Sequence, residues 1–231
     1  MVLTVHHLQV SQSERIVWLC EELGIPYELK LYQRSPVLSP PSYLALHPIG
    51  AAPVITDDEK NLTLAESNAI AEYIIHVYGG GHLAVEPGAD NYADYLYWFA
   101  FTNGTLQPAI MRTMVLRFAG LNEDNNHVAR YENRLNQALE FLDRRLGETG
   151  AWLAGKEFTA ADVMIVFSLT TMRKFDGRDL SKYGNVLEYL QRVKGREAYV
   201  RAMGKADPGM DVQDAMRGPP PELFGPLKAR V

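Results

Sequence analysis

The sequence predicts an α/β unit followed by an all-α unit. Three observations carry this. Up to residue 78 the apolar pattern runs strand, helix, strand, then strand, strand, helix. Three glycines, Gly79-Gly80-Gly81, then interrupt it, and from residue 91 to about residue 202 only helical periods occur. Two successive patterns of this kind imply two units with different cores. The 231 residues suit one large domain or two small ones sharing an interface. With 47% hydrophobic and 22% charged residues, a core can form without disulfides or a structural metal.

Leu3, Val5 and His7 alternate with Thr4, His6 and Leu8, the period of a strand. Over residues 11–23 the period becomes helical, with Ile16, Leu19, Cys20 and Leu23 on one stripe and Gly24 and Pro26 as the stop. Residues 27–32 read as a strand, and strand, helix, strand in so short a stretch implies a parallel βαβ unit. A loop rich in Pro and Ser (35–42) leads to a short helical piece ending at His47-Pro48. Ala52-Pro53-Val54-Ile55 starts a third strand, polar residues 57–61 turn the chain, and 62–64 return as a fourth. A helix over 67–78 is expected to bury Ile70, Tyr73, Ile74 and Val77. Further helices are expected at 91–118, 126–146, 160–174, 185–193 and 196–203. The division is therefore 1–81 for the α/β unit, 82–90 for a linker, 91–206 for the helical unit, and 207–231 for an irregular tail rich in Pro and Gly. That tail is expected on the surface or over a cleft.

A formal charge of −5 with scattered Lys and Arg gives no basic surface for nucleic acid. The single cysteine, Cys20, cannot form an internal disulfide and is expected to be a small core residue. His6, His7, His82 and His127 lack partners at metal-ligand spacing, so no metal is expected. Residues 1–10 form no long apolar run, so neither a signal peptide nor a membrane span is expected, and the setting expected is cytoplasmic.

Three local motifs carry more. In Ala52-Pro53-Val54 a proline opens a strand, where its missing N–H is tolerated; an ordinary trans turn and a cis bond both suit the sequence. Glu66-Ser67 opens the helix over 67–78. A helix N-terminus with a hydroxyl favours a carboxylate, and an adjacent Glu favours an ammonium, though Ser67 also suits a plain cap. Thr159-Ala160-Ala161-Asp162 has the form of a capping box ahead of an apolar run from Val163 onward, so it is assigned to folding.

In this order and spacing, over about residues 3–205, the three motifs resemble the cytosolic glutathione S-transferase family. Tyr32-Gln33-Arg34 and His47-Pro48-Ile49-Gly50-Ala51-Ala52-Pro53-Val54 are most similar to a fungal and bacterial subgroup. The resemblance implies a thioredoxin-like domain with Pro53 cis, followed by a helical bundle. It implies glutathione as co-substrate, with Ala52 and Pro53 pairing its backbone and Glu66 and Ser67 holding its γ-glutamyl end. It also implies a homodimer.

Members of that family stabilise the glutathione thiolate with a hydroxyl donor at the end of the first strand. No tyrosine precedes Tyr27, so the resemblance is to the serine type, with Ser11 as first choice and Ser13 as second. Ser11 and Glu14 also have capping-box spacing, which leaves a purely structural role open. Ala51 stands where serine-type relatives often carry lysine, so either His47 or Arg34 is expected to hold the glycine end of glutathione or affinity is reduced, and His47 equally suits a helix-end role on a carbonyl. Along 91–118, Tyr97, Phe101, Met111, Met114 and Phe118 are expected to wall the second-substrate pocket, with Arg112 orienting a polar group. The function expected is conjugation of glutathione to an apolar electrophile. A glutathione-dependent cis–trans isomerase of a natural-product intermediate and a non-catalytic binding or regulatory protein are the alternatives.

Overall fold

A computed structural model describes residues 3–121 and 124–228. At its centre lies β1 (Leu3–Leu8), parallel to β2 (Glu28–Tyr32) and antiparallel to β3 (Val54–Asp57). β4 (Leu62–Ala65) completes the order β2-β1-β3-β4, pairing antiparallel with β3. Both faces of β1 are covered, which is why all six of its residues are buried despite their alternation. Leu3 and Val5 join the main core, whereas Leu8 packs with Tyr43 and Val54 in a smaller one.

The helix α1 (Glu14–Leu23) begins three residues later than its periodicity suggests. The Ser11–Glu14 capping box does not form: Glu14 is buried and accepts a hydrogen bond from Thr171 Oγ1 at 2.6 Å instead. Gly24, at φ 62°, closes the helix with its N–H on Cys20 O, and Cys20 is fully buried, as expected. After the short α2 (Pro41–Leu44), the Ala52–Pro53 bond is cis and leads into β3. The helix α3 (Ser67–Val77) buries Ile70, Ile74 and Ile75. Val77, expected inside, is exposed, since Ile75 completes the inward stripe in its place.

The expected helix over 91–118 is three segments: α4 (Tyr92–Phe101), a π-helical turn (Thr102–Leu106) and α5 (Gln107–Phe118). Then come α6 (Asn126–Thr149) and α7 (Ala160–Leu169). Every residue of α7 is buried, and the Thr159–Asp162 capping box is present. Asp162 also accepts Leu153 N–H at 3.0 Å and Tyr189 O–H at 3.2 Å. The helix stops at Leu169 rather than 174, because Thr170 leaves helical geometry (φ −125°, ψ −93°) before the one-turn α8 (Arg173–Asp176). α9 (Gly184–Lys194) and α10 (Glu197–Ala206) follow.

The sheet unit and the helices share one core, with α1 seated on α7 and α10. Trp18 meets Tyr199 edge-on at 4.8 Å, and Arg196 grips both oxygens of Glu22 at 2.6 and 2.7 Å. Beyond α10 the described residues of the tail form two single turns, α11 (Val212–Ala215) and α12 (Gly225–Lys228). It is tied down by buried Arg173, whose guanidinium donates to the carbonyls of Arg178, Ala215, Arg217, Gly218 and Pro219. Among the described residues no helix is long and apolar enough to cross a membrane, and no group of three potential metal ligands occurs.

Candidate active site

The cis turn at Ala52-Pro53 and the start of α3 lie on one wall of a polar cleft of about 240 Å3, facing Asn103, Gln107 and Met111. Glu66 precedes α3 at φ 70°, a left-handed conformation that costs a non-glycine residue energy and marks functional turns. Its side chain is exposed at the cleft and caps nothing. Ser67 is buried with its hydroxyl accepting Asn103 Nδ2 at 2.8 Å. The first helical bond of α3 runs from Ile70 N–H to Glu66 O, so the preceding N–H groups are the unpaired donors of a helix start. An exposed carboxylate beside such donors suits a ligand end bearing both ammonium and carboxylate. The residues present thus fit the γ-glutamyl end of glutathione.

Beneath this wall lies an amide and guanidinium network that pattern reading did not single out. Arg15, almost wholly buried, donates to Gln12 Oε1 (2.9 Å), Asn103 Oδ1 (3.2 Å) and Gln107 Oε1 (2.7 Å). Its guanidinium also lies 5.2 Å over the Phe167 ring, and Nε has no partner among the described atoms. Burial pulls the Arg15 pKa down to about 9, which leaves it charged at neutral pH. It is a fixed cation under the cleft floor. Gln12 Nε2 donates to Ala52 O at 2.6 Å, and Gln107 Nε2 donates to Gln12 Oε1 at 2.8 Å. The signal available in sequence was the pair Asn103 and Gln107, polar at i, i+4 spacing just after the aromatic run that ends at Phe101. The π-helical turn presents both to the cleft, as such turns do at functional sites.

The cleft continues into an apolar pocket of about 400 Å3, with Gln12, Ala51, Ala52, Gln107 and Met111 shared between them. Met111, Met114, Phe118, Phe167 and Phe175 contribute its apolar wall. Gln107, Met111, Met114 and Phe118 form one stripe of α5, spaced as a helix face. Phe101 and Arg112, expected in this pocket, do not line it. Phe101 lies on α4, before the π turn, and is buried against Trp98 (4.9 Å) and Tyr97 (5.9 Å). Arg112 is one residue round the helix from Met111 and faces solvent. Tyr97 is likewise outside the pocket, half exposed on Trp98 and Phe141.

Ser11 lines the apolar pocket and not the polar cleft, whereas the next residue, Gln12, lines both. Ser13 lies behind Ser11, fully buried, with the two hydroxyls 2.7 Å apart and its own 2.9 Å from His7 Nδ1. Ser13 lines neither cavity. Arg34 lines the apolar pocket, with its guanidinium donating to the carbonyls of Gln9 (2.8 Å), Val37 (2.6 Å) and Val10 (3.0 Å). His47 lines neither cavity, and its Nδ1 accepts Ile49 N–H at 3.4 Å. Of the two residues assigned to the glycine end, neither therefore lies in the polar cleft; Ile49 and Ala51 border it there.

Two family models match the chain: the glutathione S-transferase N-terminal domain over residues 11–77 and the C-terminal domain over residues 125–192. Glutathione S-transferase 3 of Schizosaccharomyces pombe is 32% identical over 211 residues, 85% of each chain. A solved glutathione S-transferase from Actinobacillus pleuropneumoniae superposes with a TM-score of 0.81 at 30% identity, covering 91% of this chain and 95% of its own. The fold is also that of the glutathione transferase URE2P6 from Phanerochaete chrysosporium, solved with oxidized glutathione (TM-score 0.73, 21% identity, 88% and 96% covered). With its cis-proline turn, its Glu66-Ser67 helix start and these relationships, the chain belongs to the glutathione S-transferase family.

Proposed function

We propose that this protein is a glutathione transferase that activates the glutathione thiol at Ser11 for attack on an apolar electrophile. The observation that carries it is the continuity of the two cavities. The polar one holds the groups suited to a γ-glutamyl ligand, the apolar one has room for a second molecule, and Ser11 lines the apolar one next to Gln12, which lines both. Oxidized glutathione is the ligand of URE2P6, whose fold this chain shares.

With Glu66 and Ser67 on the γ-glutamyl end and the Ala52 backbone along the cysteinyl peptide, the thiol reaches Ser11. A hydroxyl donor at sulfur favours the thiolate over a thiol of ordinary pKa near ~8.5. The buried Arg15 cation adds to this preference. With an aryl halide, the sulfur lone pair forms the C–S bond as the carbon–halogen bond breaks, and halide leaves. The reading extends to a cytoplasmic homodimer, for which exposed Val77 on α3 and Leu96 and Tyr97 on α4 supply apolar surface.

The test is direct. Glutathione is titrated into the protein while thiolate absorbance is followed at neutral pH, and 1-chloro-2,4-dinitrobenzene is then added as electrophile. Thiolate formation with release of chloride and the S-aryl conjugate is expected. Binding with an ordinary thiol and no conjugate would turn the reading to a binding protein. Isomerisation of a conjugated alkene without glutathione consumption would turn it to reversible addition.

A further inference from the structure

Behind Ser11 a line of buried groups runs away from the cleft and across the interface between sheet and helices. Ser11 Oγ lies 2.7 Å from Ser13 Oγ, Ser13 Oγ 2.9 Å from His7 Nδ1, and His7 Nε2 3.1 Å from Asp207 Oδ2. All four residues are at least nine-tenths buried. Their order along the sequence gives no hint of it, since Asp207 comes 200 residues after His7. His7 and Asp207 also border a groove of about 550 Å3 that shares no lining residue with either cavity of the site. The line therefore joins the thiol side of the β1–α1 loop to a separate opening.

The direction of each hydrogen bond follows from what each group can do. An ionised carboxylate only accepts, so Asp207 holds the proton of neutral His7 on Nε2 and leaves Nδ1 as an acceptor. Ser13 then donates to Nδ1, the shorter of its contacts when set against 3.4 Å to Leu8 O. Ser13 Oγ accepts Leu8 N–H at 3.1 Å and the Ser11 hydroxyl proton at 2.7 Å. Ser11 in turn accepts Ser13 N–H at 3.2 Å. Its proton is thus committed inward, and what it offers the cleft is a lone pair.

We propose that Ser11, Ser13, His7 and Asp207 form a proton relay that takes the thiol proton of glutathione; it rests on the reading that the thiol reaches Ser11. The S–H bond breaks with its electron pair left on sulfur, and that proton bonds to Ser11 Oγ. The Ser11 proton moves to Ser13 Oγ, and the Ser13 proton to His7 Nδ1, giving an imidazolium against the Asp207 carboxylate. The Ser11–Ser13 and Ser13–His7 hydrogen bonds reverse while His7 Nε2–H still donates to Asp207, so Ser11 now donates to the thiolate it has helped to form. The proton returns along the line to an anionic product, or leaves to water in the groove. Ser11 is the catalytic residue here, and Ser13, His7 and Asp207 act through it as positioning residues.

The charged and titratable surroundings are consistent with this polarity. Glu14 of α1 is raised by burial to about 8, so it is largely neutral at neutral pH and adds little negative charge beside the line. Arg34, from the loop after β2, interacts electrostatically with Asp207. Tyr32, Lys174, Asp211 and Glu222 border the groove side.

The test compares the wild type with Asp207→Asn by titrating the bound glutathione thiol through its ultraviolet thiolate absorbance. Asparagine keeps an oxygen for the backbone but donates to Nε2, forcing the His7 proton onto Nδ1, where it can no longer accept. The bound thiol pKa is expected to rise by about one unit or more, roughly tenfold less thiolate below that pKa. S-methylglutathione, which has no thiol proton, is expected to bind the variant within about threefold of wild type, a difference under about 1 kcal/mol. A merely structural Asp207 would lower thermal stability and affinity for both ligands without moving the thiol pKa, and that outcome overturns the relay. If Asp207→Asn does not fold, Ser13→Ala decides on the same readout. A wild type whose bound thiol is unshifted is a separate failure, which removes the proposed function and the relay together.

Discussion

Asp207 Oδ1 accepts the backbone N–H of Val10 at 3.0 Å, so the residue that follows α10 fixes the turn on which Ser11 stands. Val10 sits at φ 49°, a conformation that β-branched residues rarely adopt. Its carbonyl is held as well, by Arg34 at 3.0 Å. A local backbone choice that is unfavourable by itself is thus over-determined from the helical unit and from the β2 side. The same carboxylate that restrains the loop also orients His7. Loop geometry and hydrogen-bond direction at Ser11 therefore share one origin.

Ser11→Ala is expected to lower turnover with 1-chloro-2,4-dinitrobenzene by about tenfold to 150-fold, the worth of a hydrogen bond to a charged group of about 1.5–3 kcal/mol. Glutathione affinity is expected to stay within a few-fold. Steady-state kinetics with a separate calorimetric titration checks both. Unchanged turnover in Ser11→Ala would remove Ser11 from the chemistry.

Glu66 and Ser67 act on binding instead. The double change Glu66→Ala and Ser67→Ala is expected to weaken glutathione by at least about tenfold, corresponding to about 1.4 kcal/mol or more. Calorimetry at fixed salt measures it. Survival of full affinity would mean that the γ-glutamyl end lies elsewhere.

Glu14 gives a pH signature. Burial raises its carboxyl from 4.5 to about 8, so between those values the folded state binds more protons than the unfolded chain. Its contribution to stability is present below about pH 4.5 and is lost as pH rises toward 8. Glu14→Gln keeps an oxygen for the Thr171 hydroxyl and removes the titration. The variant is expected to gain on wild type as pH rises, by roughly 3–4 kcal/mol between pH 5 and pH 8. Urea unfolding at pH 5 and pH 8 tests the slope; parallel profiles would place the proton elsewhere.

Arg173 is the clasp of the tail. Arg173→Met leaves the carbonyls of Ala215, Arg217 and Pro219 without their donor, while Gly218 O keeps only Leu180 N–H at 2.7 Å. Because each buried carbonyl left unpaired costs about 1–3 kcal/mol, the segment after residue 207 is expected to detach before the core unfolds. Limited proteolysis with mass analysis is expected to find early cleavage within that segment. A variant whose tail is as resistant as wild type would show that the short turns α11 and α12 suffice.

Periodicity, punctuation and three short motifs were enough to place the strands, the order of the helices and the capped α7. These features are written in local chemistry: alternation for β1, Gly24 after α1, and the Thr159–Asp162 box. Glu66 and Ser67 were legible for the same reason, since a helix start is a local event. The residues around Pro53 left its isomer open, because both turns accept them, and only the family resemblance implied the cis bond that the structure has. Sequence also misplaced Phe101 and Arg112, because a π-helical turn resets the phase of α5 and carries no periodic signature of its own. The Arg15 amide network and the Ser11–Ser13–His7–Asp207 line were out of reach altogether. Their members are separated by up to 200 residues, and each taken singly has an ordinary local explanation. What the sequence determined was where a hydroxyl stands at the end of the first strand; only the docking of α10 and its following residue on the sheet decided which way that hydroxyl's proton points.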